Sequence, residues 1–251
     1  MEYSINRSQG REGLHDHGEN GEEEEEEEEE DDDAESEVEE DEELFDDDAD
    51  LKSTMLETLN SIKSDGSFAS QAQVDDINPG LEVEGLGSFG LPLSQIETRR
   101  LMLQSIQAPF GKGEHTIVDT SVRNTWEIDS SKIQLSHPSW PEKQQKILTQ
   151  ACNALGIPNG AKNVEAQLYK LLIYEPGAMF KPHKDSEKAP RMFGTLVISL
   201  PCEHQGGDVV VSFGGKTEVF QSSNVSKWSG MCFAWYADVL HEVRRNPNTM
   251  S

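Results

Sequence analysis

The chain has 251 residues and a formal net charge of -27, but residues 1–50 hold 27 Asp or Glu against two Arg, a net of -25, and leave the remaining residues at -2. The acidity is therefore confined to one segment, and a body of about 200 residues is long enough to bury a single core. No window approaches the ~18 apolar residues of a membrane span, and the N-terminus lacks the basic and apolar regions of a signal peptide. Three widely spaced cysteines, Cys152, Cys202 and Cys232, support neither a disulfide framework nor a zinc knuckle. The expectation is a soluble intracellular protein of the cytoplasm or nucleus, with reduced core cysteines, binding neither membrane nor nucleic acid directly.

In chain order, residues 1–50 contain nine consecutive glutamates, Glu22 to Glu30, followed by Asp31 to Asp33 and mixed acidic sequence to Asp50. Such a block repels itself and buries too little apolar surface to offset its ordering entropy, so it is expected to be a disordered acidic tail. Its plainer reading is a solvating tail without a specific partner; the alternative is a tail that engages basic proteins. Residues 51–77 read as a short helix and linker, with Leu51, Met55, Leu59 and Ile62 on one face.

A compact domain is expected over residues 78–251. Ser94 and Glu97 match a capping box for a helix reaching about Gln107, and a second helix is expected from about Pro141 to Leu155, with Gly156 beyond its end. HTIVDTSVRNTWEID, from His115 to Asp129, reads as one or two strands. After Gly160 come short strands divided by Gly, Pro, Asn and Ser: VEAQLYKLLIY, MFGTLVISLP, GDVVVSF, KTEVFQ, NVSKW, GMCFAWY and LHEV. The expected fold class is mainly β with flanking helices, α+β, in a sandwich, barrel or jelly roll.

Within the second half, YKLLIYEPGAMFKPHKD runs from Tyr169 to Asp185, and WYADVLHEV from Trp235 to Val243. His183 and Asp185 are one residue apart, so on an extended segment their side chains share a face. With His241 they make the two-histidine, one-carboxylate set that can occupy one face of an octahedral ferrous ion. Alone, His-x-Asp is a weak signal in so acidic a chain, as the HDH at His15 to His17 illustrates. Lys181, Lys184, Lys188 and Arg191 bracket the motif and would either attract an anionic ligand or stand as solvated loop charges.

YEPGAMFKPHKD, MFGTLVISLP, QGGDVVV and WYADVLHEV together resemble the core of the Fe(II)/2-oxoglutarate-dependent dioxygenases, within them the prolyl 4-hydroxylase-type group. The resemblance implies a double-stranded β-helix (jelly-roll) core and a metal site of His183, Asp185 and His241, which are also the catalytic residues. It places Tyr174 on the 2-oxoglutarate, and Thr195 lies on a strand where its side chain can line the same pocket. The implied reaction is hydroxylation, on a protein side chain such as proline, with oxidative decarboxylation of 2-oxoglutarate to succinate. Fe(II), 2-oxoglutarate and O2 are the implied cofactors, with ascorbate as a candidate reductant.

Members of that family carry a lysine or arginine on the strand after the distal histidine, which pairs with the far carboxylate of 2-oxoglutarate. Here RRNPNTMS follows Val243 and lacks strand alternation, so the final strand is expected to be missing, the domain to be incomplete at its C-terminus, and Arg244 or Arg245 to be the candidate substitutes. A lost strand would leave an exposed sheet edge. The competing expectation is a catalytically silent metal-site β-domain that acts as an interaction protein through its acidic tail.

Overall fold

The computed structural model describes residues 1–8, 47–61, 66–112 and 115–245. Met1–Gln9 with Asp65–Ser251 make one compact unit and Gly10–Ser64 another. In the second lies α1 (Asp47–Ser61), on which Leu51, Met55 and Leu59 are exposed. The expectation of a disordered acidic segment falls largely on residues 9–46, outside the described residues, as do His15 to His17 and residues 246–251.

The first unit begins with β1 (Glu2–Arg7), β2 (Ala69–Val74), β3 (Leu81–Val83) and β4 (Gly87–Ser88), followed by α2 (Gln95–Met102), β5 (Ile106–Gln107), β6 (Phe110–Lys112) and β7 (His115–Ile117). Then come β8 (Arg123–Asn124), β9 (Trp126–Asp129), β10 (Ile133–Leu135), α3 (Trp140–Ala154), β11 (Val164–Ile173) and β12 (Met179–His183). The chain continues with β13 (Met192–Ser199), β14 (Val209–Phe213), β15 (Lys216–Phe220), β16 (Gly230–Tyr236) and β17 (Leu240–Val243). The described fold is mainly β, with antiparallel sheets and three helices. A seven-stranded sheet has the order β2-β16-β13-β1-β11-β9-β5 and a five-stranded sheet the order β15-β14-β17-β12-β8.

Side-chain alternation on the seven-stranded sheet separates two cores. Leu196 and Ile198 of β13, Cys232 and Ala234 of β16, and Tyr3 and Ile5 of β1 join the cluster that includes Ile147, Leu148 and Ala151 of α3. Phe233 and Trp235 of β16 point the other way, into a cluster with Val209, Val211 and Phe220 of the five-stranded sheet. Period-two geometry thus gives one face of the large sheet to helices and the other to the small sheet.

Four sequence expectations require correction. The first eight residues are not part of an acidic tail: β1 pairs with β11 on one side and β13 on the other, Ile5 lying opposite Ala166 and Gly194. Tyr3 and Ile5 are 1% and 0% exposed, so apolar alternation in Met1, Tyr3 and Ile5 outweighs the charge further along. That inserted strand also means that β11 and β13 present no open edge to each other. Second, the compact domain does not start at Asn78, because β2 lies within the presumed linker and pairs with β16. Third, α2 has the capping box, with Ser94 donating from its N–H to the Glu97 carboxylate at 2.8 Å, but it stops at Met102 rather than Gln107, where the chain turns into β5. Fourth, NVSKW forms turns rather than a strand, and His115 to Asp129 contains three short strands. The second helix, α3, lies where the sequence placed it, and Gly156 at its end adopts φ +72°.

Candidate metal centre

β12 and β17 are antiparallel neighbours in the five-stranded sheet, and their register sets His183 directly opposite His241. Their ring centroids are 4.1 Å apart. Asp185 follows the end of β12, in the loop leading to β13. One ligand atom from each of His183, Asp185 and His241 can be chosen so that all lie within 4.8 Å of one another, a spacing compatible with a shared metal ion.

Each of these groups is oriented by a second partner. The Nδ1 atoms of His183 and His241 lie 2.8 Å from the Lys181 carbonyl oxygen and 3.1 Å from the Val239 carbonyl oxygen. A carbonyl only accepts, so each Nδ1 carries the proton and each Nε2 keeps a lone pair free. Asp185 is held differently: its Oδ2 accepts from the Thr195 hydroxyl at 2.7 Å and from the Trp235 indole N–H at 3.0 Å. Thr195 and Trp235 are cross-strand partners on β13 and β16, so a single sheet position supplies both donors. The carboxylate is thereby fixed by the large sheet and both imidazoles by the small one.

Electrostatics agree with a cation-binding role. Burial, then the neighbouring His241, pushes the His183 imidazole well below the usual histidine range, so it is neutral and able to ligate at neutral pH. The His241 Nε2 stands 3.8 Å from Asp185 Oδ2. Three protein donors in this arrangement leave a metal's remaining positions open to water or a chelating ligand.

The three residues border a cavity of about 500 Å³, also lined by Glu2, Arg123, Lys170, Tyr174 and Thr195. Tyr174 is half-buried there, and burial raises its phenol above the ordinary value. Thr195 lines the cavity as expected, with its hydroxyl engaged by Asp185. Arg244 and Arg245, the residues expected to pair with a far carboxylate, are exposed and do not line this cavity; Arg244 Nε lies 3.4 Å from Glu242. Lys181, Lys184, Lys188 and Arg191 are all exposed, with Lys184 and Lys188 at the cavity wall. Cys152 and Cys232 are buried free thiols, and Cys202 is a half-buried one.

Two residues at the site escaped the sequence reading. Trp235 carries a visible signal, since it belongs to the WYADVLHEV segment, but its hydrogen bond depends on the β13–β16 register. Arg123 carries none: it sits in RN, a two-residue strand, and enters the cavity only because β8 pairs with β12. Among the described residues no helix is long and apolar enough to cross a membrane. Comparison with family models and with curated proteins finds no match to this chain.

Proposed function

We propose that His183, Asp185 and His241 bind Fe(II), and that the chain is a 2-oxoglutarate-dependent dioxygenase whose hydroxylation target is a protein side chain such as proline. The observation that carries this reading is the convergence of two free imidazole Nε2 atoms and one carboxylate at the wall of a cavity, each held by a separate hydrogen-bond partner. Two imidazoles and a carboxylate with open positions are the donor set suited to ferrous oxygen chemistry. A double-stranded β-helix is the finer fold reading that accompanies it, supported by two facing antiparallel sheets that each contribute to the site. The hydroxylase class and its substrate rest on the resemblance carried by YEPGAMFKPHKD and WYADVLHEV.

When bound, the iron with its 2-oxoglutarate would supply the oxidising chemistry. The residues of the chain supply order and dryness. His183 and His241 present fixed lone pairs, and Asp185 brings the negative charge that favours a divalent cation. Thr195 and Trp235 prevent Asp185 from rotating away. Tyr174, protonated throughout the neutral range, can donate a hydrogen bond to a ligand carboxylate. Val209 and Phe233 help close the inter-sheet side of the cavity, limiting access of bulk water.

Succinate release from the full chain, supplied with Fe(II), 2-oxoglutarate, O2 and ascorbate, tests the proposal against His183→Ala. Release abolished by that substitution supports the enzyme. Equal background in both proteins would leave the silent interaction domain as the better reading.

A further inference from the structure

Arg123 is 5% exposed, lines the cavity beside the candidate metal centre, and has no described carboxylate within ion-pair distance. One of its terminal nitrogens donates to the Pro109 carbonyl at 2.7 Å, while its buried Nε has no hydrogen-bond partner. The guanidinium lies 4.5 Å from the centre of the Phe180 ring, and that ring stacks on His183 at 3.4 Å. The cation is therefore one aromatic ring away from a candidate metal ligand. Removing a guanidinium from water without an anionic partner is unfavourable, and its fork of donors matches a carboxylate.

The other cations of the cavity are differently placed. Lys170 is buried, but its Nζ is 2.6 Å from the Glu127 carboxylate. Lys184 and Lys188 are exposed, and Lys188 Nζ is 2.6 Å from the Ser186 hydroxyl. Glu2 also borders the cavity and interacts electrostatically with Arg123, yet the two form no ion pair within 4.0 Å. A five-carbon diacid has four C–C bonds of about 1.52 Å and an end-to-end reach of about 5 Å. Arg123, His183, Asp185 and His241 all line this one cavity, and Phe180 contacts both the Arg123 cation and the His183 ring.

We propose that Arg123, on β8, binds the far carboxylate of a short dicarboxylic acid. The acid's identity as 2-oxoglutarate rests on the function proposed above; the carboxylate site does not. Arg123 selects for a second carboxylate, while the metal group holds the oxo-acid end. Tyr174 lines the same cavity and offers a further donor.

Calorimetric titrations of the full chain test this in two states. With Mn(II) present, wild-type protein is titrated with 2-oxoglutarate and with 2-oxobutyrate, which keeps the chelating end but lacks the far carboxylate. Without metal, it is titrated with glutarate. Arg123→Gln is expected to weaken 2-oxoglutarate and glutarate roughly 10- to 100-fold, leaving Mn(II) and 2-oxobutyrate affinities unchanged. Arg123→Lys keeps the charge and is expected to recover part of the discrimination. A structural role would lower melting temperature and weaken both oxo acids alike. Discrimination retained by Arg123→Gln overturns the proposal, and so does a wild-type protein that binds neither glutarate nor 2-oxoglutarate. If Mn(II) binding proves independent of His183 while glutarate binding still requires Arg123, the metal reading fails and the carboxylate site stands.

Discussion

Replacing Thr195 by Val removes one donor from Asp185 and little else. The two side chains are nearly the same shape, Thr195 is 2% exposed, and its hydroxyl has a single described partner, the Oδ2 atom 2.7 Å away. A hydrogen bond to a charged acceptor contributes about 1.5–3 kcal/mol, and the half-buried carboxylate keeps the longer bond from Trp235 at 3.0 Å. Asp185 then has more freedom to rotate and a less complete shell. Losses of outer-shell partners cost roughly 10- to 100-fold in metal affinity, the same range that the hydrogen-bond energy gives. The assay is competition of Mn(II) or Co(II) against a chelating dye, for wild type, Thr195→Val, Thr195→Ser and Trp235→Phe. Thr195→Ser keeps the hydroxyl and should bind within a few-fold of wild type, while Thr195→Val and Trp235→Phe should each fall by about an order of magnitude or more. A Thr195→Val protein that folds normally and binds metal as tightly as wild type would refute the role of the Thr195 hydroxyl in fixing Asp185 as a ligand.

Three further outcomes follow from the packing. Ile5→Ala should lose about 2–5 kcal/mol in urea denaturation, since a fully buried central-strand side chain is truncated; a loss under 1 kcal/mol would deny β1 its place in the sheet. Gly194→Ala would put a Cβ 2.7 Å from the Trp235 carbonyl oxygen, between the two strands that hold Asp185, and should cost about 1–3 kcal/mol together with weaker metal binding; unchanged melting would refute this. Burial raises the Glu2 carboxyl above its ordinary value. Its folded form therefore binds more protons than its unfolded form above the ordinary range, and its burial costs progressively more stability as pH rises through the folded value. Glu2→Gln should accordingly stabilise the protein at pH 7 more than at pH 4, and an equal effect at both would exclude the raised carboxyl.

The parts of the site legible in the sequence are those encoded locally. His183 and Asp185 show their common face through a spacing of two, and α3 shows its start and end through Pro141 and Gly156. His241 needed the resemblance, because nothing local to LHEV says which strand it will oppose. The bond network around Asp185 was beyond reach for the same reason: Thr195 and Trp235 become partners only through the β13–β16 register. Missing β1 had another cause. Nine glutamates from Glu22 onward dominate any composition taken over 50 residues, and a six-residue alternation at one end disappears in that average. β2 was likewise concealed by the Ser and Gln of ASQAQV, whose polar side chains suit an outer strand of the sheet.

The position of β1 also orders the events of biosynthesis. Its partners β11 and β13 begin at Val164 and Met192, so the ribosome delivers this strand long before either neighbour exists. At roughly 5–20 residues per second the interval is on the order of ten seconds or longer. Throughout it Tyr3 and Ile5 have no sheet to enter, and the large sheet cannot close until β11, β13 and β16 have been made. Slow, late closure of this kind is expected for pairings so distant in sequence, and it makes β1 in the nascent chain a natural point of chaperone attention.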